Sequence, residues 1–395
     1  MKNIATTQNG FTEWCFLVLL ANVWGLSMFG YIIGFAKGLP FLGQFAETIP
    51  YFAIVVPLLF SLKYISNKLS IIDYCFYMTV LFIYIIEFAL YPYNSEIQKH
   101  AYSFLVIVLP CFFIGRLINI KDVDELLYLV SLIGVVLTSA YYLIYAQFNT
   151  KIETEHYNMD GAYDLLRFSL YVISYAIRKK TILSILVSLM SVVMILSFGT
   201  RGPLLCVIVF VAFFVLIFGK FKYAKIIKTS TVILFGFLYL YIDEFMLFLQ
   251  RSLQSLHMST RIVDNYFRDE LDVSEARVDF IDELLQVMNS GSFPLFGEGL
   301  CGSYKYIGIY PHNLLIELLF SFGYVCGGII FVLIIVLFIR AMIISNDITE
   351  KSFLLLLFCS SILKLMMSGS FLDESTFFML IGYSLVVIRN QKSYV

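Results

Sequence analysis

Long, uninterrupted apolar stretches constrain this chain more than any other feature of its sequence. They recur along its 395 residues, many of them long enough to cross the hydrocarbon core of a bilayer, which is about 30 Å thick. Only 14% of the residues are charged, against roughly 25% in soluble domains. A water-soluble enzyme is therefore excluded, and a single integral membrane domain over 1–395 is the simplest interpretation.

The apolar stretches predict an all-α, polytopic transmembrane bundle of about twelve spans. The first stretch is too long for the core of a signal peptide and no small-residue cleavage site follows it, so it is interpreted as an uncleaved span. One large polar region, 248–312, separates the ninth predicted span from the tenth. The predicted spans are 13–36, 45–62, 71–91, 101–118, 125–147, 163–177, 181–198, 203–219, 228–247, 313–339, 350–368 and 373–389.

Lysine and arginine in the short loops predict the orientation, because cytoplasmic loops carry an excess of these residues. With the N-terminus in the cytoplasm, most of the loop cations fall on the cytoplasmic side. Both termini are then cytoplasmic and the large loop lies outside. Within that loop, helical spacing predicts a short amphipathic helix whose apolar face consists of Val278, Ile281, Leu285 and Met288.

Ionisable residues inside predicted spans are costly in a membrane and are therefore candidates for function. The predicted orientation places five of them toward the outer face, namely Glu87, Asp164, Arg167, Glu317 and Lys364. A pathway through the membrane would need polar groups at the midplane and on both sides. The pattern instead predicts a polar cavity that opens only to the outer face. For each residue taken singly, snorkelling or anchoring at the interface is the alternative.

Three polar residues near the same face suit a pyrophosphate and a reacting hydroxyl. Arg201 stands at the outer turn between the seventh and eighth spans, and Arg277 stands at the head of the loop helix. His312 stands where the loop becomes the tenth span, and Asn313 and Glu317 follow on one helical face. The arginines supply permanent cations and the histidine can accept a proton. An interfacial anchor, an exposed loop position and a simple helix start are the structural alternatives.

A resemblance to a known family rests on the segments TRGPLL, PLFGEG and PHNLLIELLFSFGYVCGGIIF, in this order. On this span plan they resemble the O-antigen polymerase and O-antigen ligase superfamily of bacterial envelope glycan assembly. The resemblance covers roughly 180–340 well and the first half of the chain only by hydropathy. Ligases of this family commonly have a second histidine just before the His-Asn pair, whereas Ile309, Tyr310 and Pro311 stand there in this chain. That departure favours the polymerase branch.

The resemblance implies a metal-independent glycosyltransferase without cofactors in the bacterial inner membrane, with its large loop in the periplasm. Its donor would be an undecaprenyl-pyrophosphate-linked oligosaccharide. Its other partners would be membrane lipid, a chain-length regulator and a flippase, and no nucleic acid. Arg201 and Arg277 would stabilise the negative charge that grows on the leaving pyrophosphate. His312, with Glu317 as the alternative, would remove the proton of the attacking hydroxyl.

Six further residues are candidates for substrate binding at the outer face. The two tyrosines among them suit stacking on sugar rings, although anchoring at the lipid interface is the alternative. The others offer charge or hydrogen bonds to a phosphate or a sugar. The six are Glu87, Arg167, Tyr304, Tyr310, Asn313 and Lys364.

The polymerase would join a growing glycan to a newly arrived lipid-linked repeat unit. A first alternative is the ligase, which transfers finished glycan to lipid A-core. A second is a transporter or flippase for repeat units, which also has about twelve spans, but the one-sided charge and the lack of visible repeat halves count against it. A third is a membrane scaffold whose loop binds a partner.

Overall fold

The computed structural model of the protein describes residues 8–36, 48–90, 95–148, 159–198, 200–217, 242–255, 260, 263–264, 275–291 and 293–392. Every regular element within these ranges is a helix, and they contain no strand, so the predicted all-α class is confirmed there. The helices are α1 (Gln8–Trp24), α2 (Leu26–Ala36), α3 (Ile49–Lys68), α4 (Ile71–Leu90), α5 (Ser95–Ser103), α6 (Cys111–Leu117), α7 (Ile120–Phe148), α8 (Met159–Lys179), α9 (Ile182–Ser197), α10 (Arg201–Ile217), α11 (Ile242–Ser255), α12 (Glu275–Asn289), α13 (Tyr304–Ile307), α14 (Leu314–Ile344), α15 (Ile348–Phe358) and α16 (Ser375–Lys392).

Several helices have the length and composition of membrane spans. Over the described ranges five of them pass this test, or six if the bent pair formed by α1 and α2 is counted as one span. The five are α3, α4, the α5–α6 segment, the first 25 residues of α7, and α14. The transmembrane character that the apolar stretches predict is thus present, and the plan of about twelve spans stays a prediction.

The boundaries of three predicted spans need correction or qualification. The first, 13–36, is broken, because α1 ends at Trp24 and α2 begins at Leu26. The tenth, 313–339, extends to Ile344 and is interrupted at Gly323, whose φ of 78° is not helical. Most of the ninth, 228–247, lies outside the described residues. An apolar run keeps its hydropathy across a backbone break, so hydropathy does not reveal such breaks.

The chain divides into two compact units. Unit 1 consists of Met1–Trp24, Glu47–Asp124 and Val273–Val395. Unit 2 consists of Gly25–Ala46 and Glu125–Asp272. Unit 1 therefore contains residues 273–312 of the predicted large loop, together with α14. The prediction of one integral membrane domain over 1–395 stays a prediction.

Two glycines allow a close approach of α6 and α16 in unit 1. A Cβ added to Gly115 would lie 2.3 Å from the carbonyl oxygen of Met379. A Cβ added to Gly382 would lie 2.2 Å from the carbonyl oxygen of Phe112. Small residues let the backbones of membrane helices approach closely, which increases their van der Waals contact. Around this pair, α14 and α15 pack on α16, and α1 packs on α3.

Ion pairs close one end of unit 1, which we call the ion-pair end. Arg116, at the end of α6, donates to Asp73 at the start of α4, with 2.5 Å between Nε and Oδ1. Lys121 lies 3.4 Å from carboxylate oxygens of both Asp347 and Glu350. Arg116 and Lys121 both count among the cations of the predicted cytoplasmic side, and both have carboxylate partners within the protein.

In unit 2, α8 is the most enclosed helix and packs against α9 and α10. It covers the predicted sixth span, 163–177, but is not one of the five helices that pass the length and composition test. Tyr31 of α2 donates a hydrogen bond of 2.9 Å to Asp164 of α8, and its ring packs on Tyr141 and Tyr142 of α7. The polar residue Asp164 thus holds α2 and α8 together.

Candidate functional site

The loop that precedes α14 is hydrogen-bonded to the interruption within that helix. The amide of Glu298 donates to the carbonyl of Phe320 at 2.8 Å, and the amide of Gly299 donates to the carbonyl of Ser321 at 3.1 Å. These carbonyls lose their helical partners where α14 breaks at Gly323, and the loop amides replace them. The PLFGEG and SFG segments of the sequence are therefore two parts of one backbone junction.

Gly297 and Gly323 are required at this junction for both conformation and space. Gly323 has a φ of 78° and Gly297 a φ of 79°, in the left-handed region that favours glycine. A Cβ on Gly323 would lie 2.0 Å from the carbonyl oxygen of Leu295. A Cβ on Gly297 would lie 2.5 Å from the amide nitrogen of Gly323. The glycines thus fix the loop against the start of α14.

Two of the candidate carboxylates lie at the same end of unit 1 as this loop, which we call the loop end. Glu87, near the end of α4, accepts a hydrogen bond of 3.1 Å from the amide of Leu300. Glu317, one turn into α14, is 7% exposed and accepts hydrogen bonds from Ser370 Oγ and from the amide of Phe371. The loop end therefore joins the end of α4, the loop, the start of α14 and the turn before α16.

Lys364 lies at the same end, and an acidic neighbour compensates its charge. It follows a π-helical turn, Cys359–Leu363, and forms an ion pair with Glu374. Glu374 also accepts hydrogen bonds from the amide of Thr376 at 3.2 Å and from its hydroxyl at 2.6 Å. Single-turn π-helices are frequent at functional sites. Lys364 is half-buried here, and its charge is paired within the protein.

A histidine–aspartate pair that sequence analysis missed completes the loop end. His100 Nδ1, in α5, lies 2.9 Å from Asp373 Oδ1, in the turn before α16. The ring centroid of His100 lies 6.5 Å from that of Tyr304 in α13. A separation of 273 residues hides the pair from any spacing argument. The signal in the sequence was that His100 directly precedes the predicted fourth span and Asp373 begins the predicted twelfth, both at the predicted outer end.

Burial and nearby carboxylates keep two loop side chains protonated. Burial, with smaller contributions from the carboxylates of Glu317, Asp373 and Glu96, raises the pKa of the Cys301 thiol to about 12. Burial likewise raises the pKa of the Tyr304 phenol, with Cys301, Glu96 and Asp373 contributing. Cys301 is therefore no thiolate nucleophile at neutral pH, and Tyr304 offers a hydroxyl that can donate a hydrogen bond.

The His-Asn pair lies at the start of α14. Asn313 Oδ1 accepts a hydrogen bond of 3.2 Å from the amide of Ile316, which makes Asn313 the N-cap of the helix. His312 has a φ of 55°, in the left-handed region, and its ring centroid lies 4.4 Å from that of Tyr310. Residues held in that region cluster at functional sites. Asn313 therefore has a structural role at the start of α14.

We expect Asn313→Ala to lower the free energy of unfolding by about 1 kcal/mol, because the amide of Ile316 loses its acceptor. Asn313→Asp keeps a cap acceptor and serves as the matched control. The measurement is the midpoint of thermal unfolding in detergent for both variants and the wild type. Equal midpoints for the alanine and aspartate variants would show that the cap contributes nothing.

The candidate arginines are distributed over both units. Arg201 is the first residue of α10 and Arg167 lies in α8, so both belong to unit 2. The guanidinium carbon of Arg167 lies 5.6 Å from the ring centroid of Phe168. Arg277 lies in the first turn of α12 in unit 1, and its side chain lies outside the described part of the structure.

The predicted apolar face of α12 is confirmed at Ile281 and Met288 and wrong at Leu285, and the side chain of Val278 lies outside the described part of the structure. Leu284 and Met288 are buried against Ile316 and Phe320 of α14. Leu285, predicted in this face, is 37% exposed. Leu284 takes its place because positions 284 and 288 are one turn apart, so either leucine satisfies helical spacing. The amphipathic helix itself is confirmed, and it packs on the start of α14.

Comparisons with known proteins give no relative: no family model, no curated protein and no solved structure matches the chain. Among the described residues, no three His, Cys, Asp or Glu side chains are grouped so that they could hold a metal ion. The loop end of unit 1 is therefore interpreted from its own chemistry. It offers carboxylate and imidazole acceptors, phenol donors and a buried carboxylate beside a glycine-ordered loop.

Proposed function

We propose that the protein is a glycan polymerase of the bacterial inner membrane. It would join undecaprenyl-pyrophosphate-linked repeat units at the periplasmic face, with about twelve spans, cytoplasmic termini and the 248–312 loop in the periplasm. A flippase would supply the repeat units and a chain-length regulator would act on the product. Surface polysaccharide of the O-antigen type is the product class, in line with the resemblance of the TRGPLL, PLFGEG and PHN segments.

The loop end of unit 1 is the single observation that carries this proposal. Polar and ionisable side chains from α4, α5, α14 and two turns meet there, whereas Arg116–Asp73 and the pairs of Lys121 close the ion-pair end. A sugar acceptor presents several hydroxyl groups, each of which donates a hydrogen bond. Carboxylates and imidazole accept such bonds, so this end suits the acceptor sugar.

The leaving group needs positive charge, because negative charge grows on the pyrophosphate as the anomeric C–O bond breaks. Arg201 and Arg277 are the candidates for this role, since a guanidinium stays protonated and can bind two phosphate oxygens. Arg167 is a further candidate for phosphate binding. Among the residues that the sequence analysis names, His312 is the first candidate for a base of the acceptor hydroxyl and Glu317 the second.

Complementation of a polymerase-deficient strain tests the proposal. We expect the wild-type chain to restore a ladder of glycan lengths. We expect Arg201→Ala, Arg277→Ala and His312→Ala to reduce polymer by about 10²-fold or more, as loss of one charge-stabilising group typically does. Arg251→Ala replaces an exposed arginine of α11 and should leave the ladder unchanged.

Two other results would change the assignment. If the three variants give a normal ladder at wild-type expression, none of these residues is needed for polymerisation. If the chain restores capped core in a ligase-deficient strain and no ladder in a polymerase-deficient one, the protein is the ligase. A wild-type chain that restores neither phenotype would contradict glycan transfer altogether.

A further inference from the structure

His100 lies at the loop end of unit 1 with one ring nitrogen engaged and the other available. Nδ1 lies 2.9 Å from Asp373 Oδ1, which fixes the ring orientation. Within the described part of the chain, no hydrogen bond reaches Nε2. The His100 side chain is 15% exposed and that of Asp373 46%, so solvent reaches the pair. This is the arrangement in which a carboxylate orients an imidazole so that its outer nitrogen can take a proton.

Three carboxylates act on His100, and the one on its own helix, Glu96, is paired with Lys99. Glu96 lies on the same helix, Asp373 on the turn before α16, and Glu317 on α14. The loop contributes Cys301 and Tyr304, and burial is the largest reason why both stay protonated. A neutral sugar with several hydroxyls suits this surrounding, whereas a bare phosphate would be repelled by the carboxylates.

We propose that His100 is the base that takes the proton from the attacking sugar hydroxyl, with Asp373 as the residue that positions it. The proposal rests on the proposed glycosyl transfer. The hydroxyl oxygen forms the new bond to the anomeric carbon, and the bond from that carbon to the pyrophosphate oxygen breaks. The electron pair of the broken bond leaves with the pyrophosphate, and the hydroxyl proton passes to His100 Nε2 and then to water.

The competing carboxylate, Glu317, is less suited to this step. Its two oxygens accept hydrogen bonds from Ser370 Oγ and the amide of Phe371, and its side chain is almost fully enclosed. Those contacts indicate that Glu317 joins α14 to the turn that carries Asp373. His312 stands at the start of α14 beside Tyr310, and under this proposal it contributes to substrate binding.

The test uses the purified full-length protein with lipid-linked repeat units and measures kcat and KM from the rate of polymer formation. We expect His100→Ala to lower kcat by about 10²- to 10⁴-fold with KM nearly unchanged. Added imidazole should raise the kcat of His100→Ala and not that of His312→Ala, because only the first variant lacks the base. Asp373→Asn should lower kcat, and Asp373→Glu should retain more activity than Asp373→Asn.

Lys99→Ala is the matched control, because Lys99 precedes His100 on α5 and its side chain is 67% exposed. Its kcat should equal that of the wild type. An active wild type with an equally active His100→Ala would overturn the proposal and leave the proposed function intact. A His100→Ala variant that is inactive and does not respond to imidazole would also overturn it. An inactive wild type would overturn the proposed function and this proposal together.

Discussion

Arg116→Met is expected to lower the free energy of unfolding by about 3–5 kcal/mol, because it leaves the buried carboxylate of Asp73 without its cation. Arg116 Nε donates to Asp73 Oδ1 at 2.5 Å and Nη2 donates to Oδ2 at 3.1 Å. The two side chains are 6% and 3% exposed. Ser70 adds hydrogen bonds to the same carboxylate from its amide at 2.9 Å and its hydroxyl at 2.7 Å. The hydrogen bonds from Ser70 come from neutral groups, so they do not neutralise the negative charge of Asp73.

Thermal unfolding in detergent and titration with a denaturing detergent measure the loss. Lys121→Met is the matched control: Lys121 also pairs with carboxylates, at 3.4 Å, but its side chain is 51% exposed. Exposed ion pairs contribute about 0–1 kcal/mol, so this variant should lose little. The double variant Arg116→Met with Asp73→Leu should recover much of the stability, because replacing both charges by apolar groups removes the unpaired one. If Arg116→Met and Lys121→Met lowered the free energy of unfolding by similar amounts, the interpretation of Arg116 and Asp73 as a buried ion pair would be wrong.

Hydropathy predicts the helices of this chain and does not predict where they break. The runs around Gly25 and Gly323 are apolar on both sides, so the pattern continues through each break. Backbone conformation decides the break, and the partners of the freed carbonyls lie elsewhere in the sequence. For Gly323 those partners are the amides of Glu298 and Gly299. Both segments are visible in the sequence as glycine-rich, but nothing in the sequence shows that they meet.

The end of unit 1 at which a candidate residue lies follows from its position along a helix. Glu87 and Glu317 were predicted near one face, and the structure places both at the loop end. Their partners depend on helix rotation and on which helices are neighbours. Leu284 and Leu285 show how small the margin is, since one residue of rotation exchanges a buried side chain for an exposed one. Predicting the pair of His100 and Asp373 requires both the rotation of the helices and the identity of their neighbours, so the sequence alone does not reveal it.

Gly323→Ala is expected to lower the free energy of unfolding by about 3 kcal/mol or more. With a φ of 78° and a ψ of 167°, Gly323 has a backbone conformation that essentially only glycine adopts, which costs alanine about 1–3 kcal/mol. The new Cβ would also lie 2.0 Å from the carbonyl oxygen of Leu295. Relief of this clash requires the loop to move away from α14. The amides of Glu298 and Gly299 would then lose their acceptors, so their hydrogen exchange should become faster.

Two other glycines separate the conformational contribution from the steric one. Gly291 has a φ of 70° and no atom within 4 Å of an added Cβ, so Gly291→Ala should show the cost of a positive φ without a clash. Gly328 lies in the helical part of α14, and the nearest atom to its added Cβ is 3.8 Å away. Gly328→Ala should therefore be neutral or slightly stabilising. The midpoint of thermal unfolding should be highest for Gly328→Ala, intermediate for Gly291→Ala and lowest for Gly323→Ala. If the midpoint of Gly323→Ala equalled that of Gly291→Ala, the loop would not be packed against the break in α14. The junction between the loop and α14 would then not be what orders the loop end.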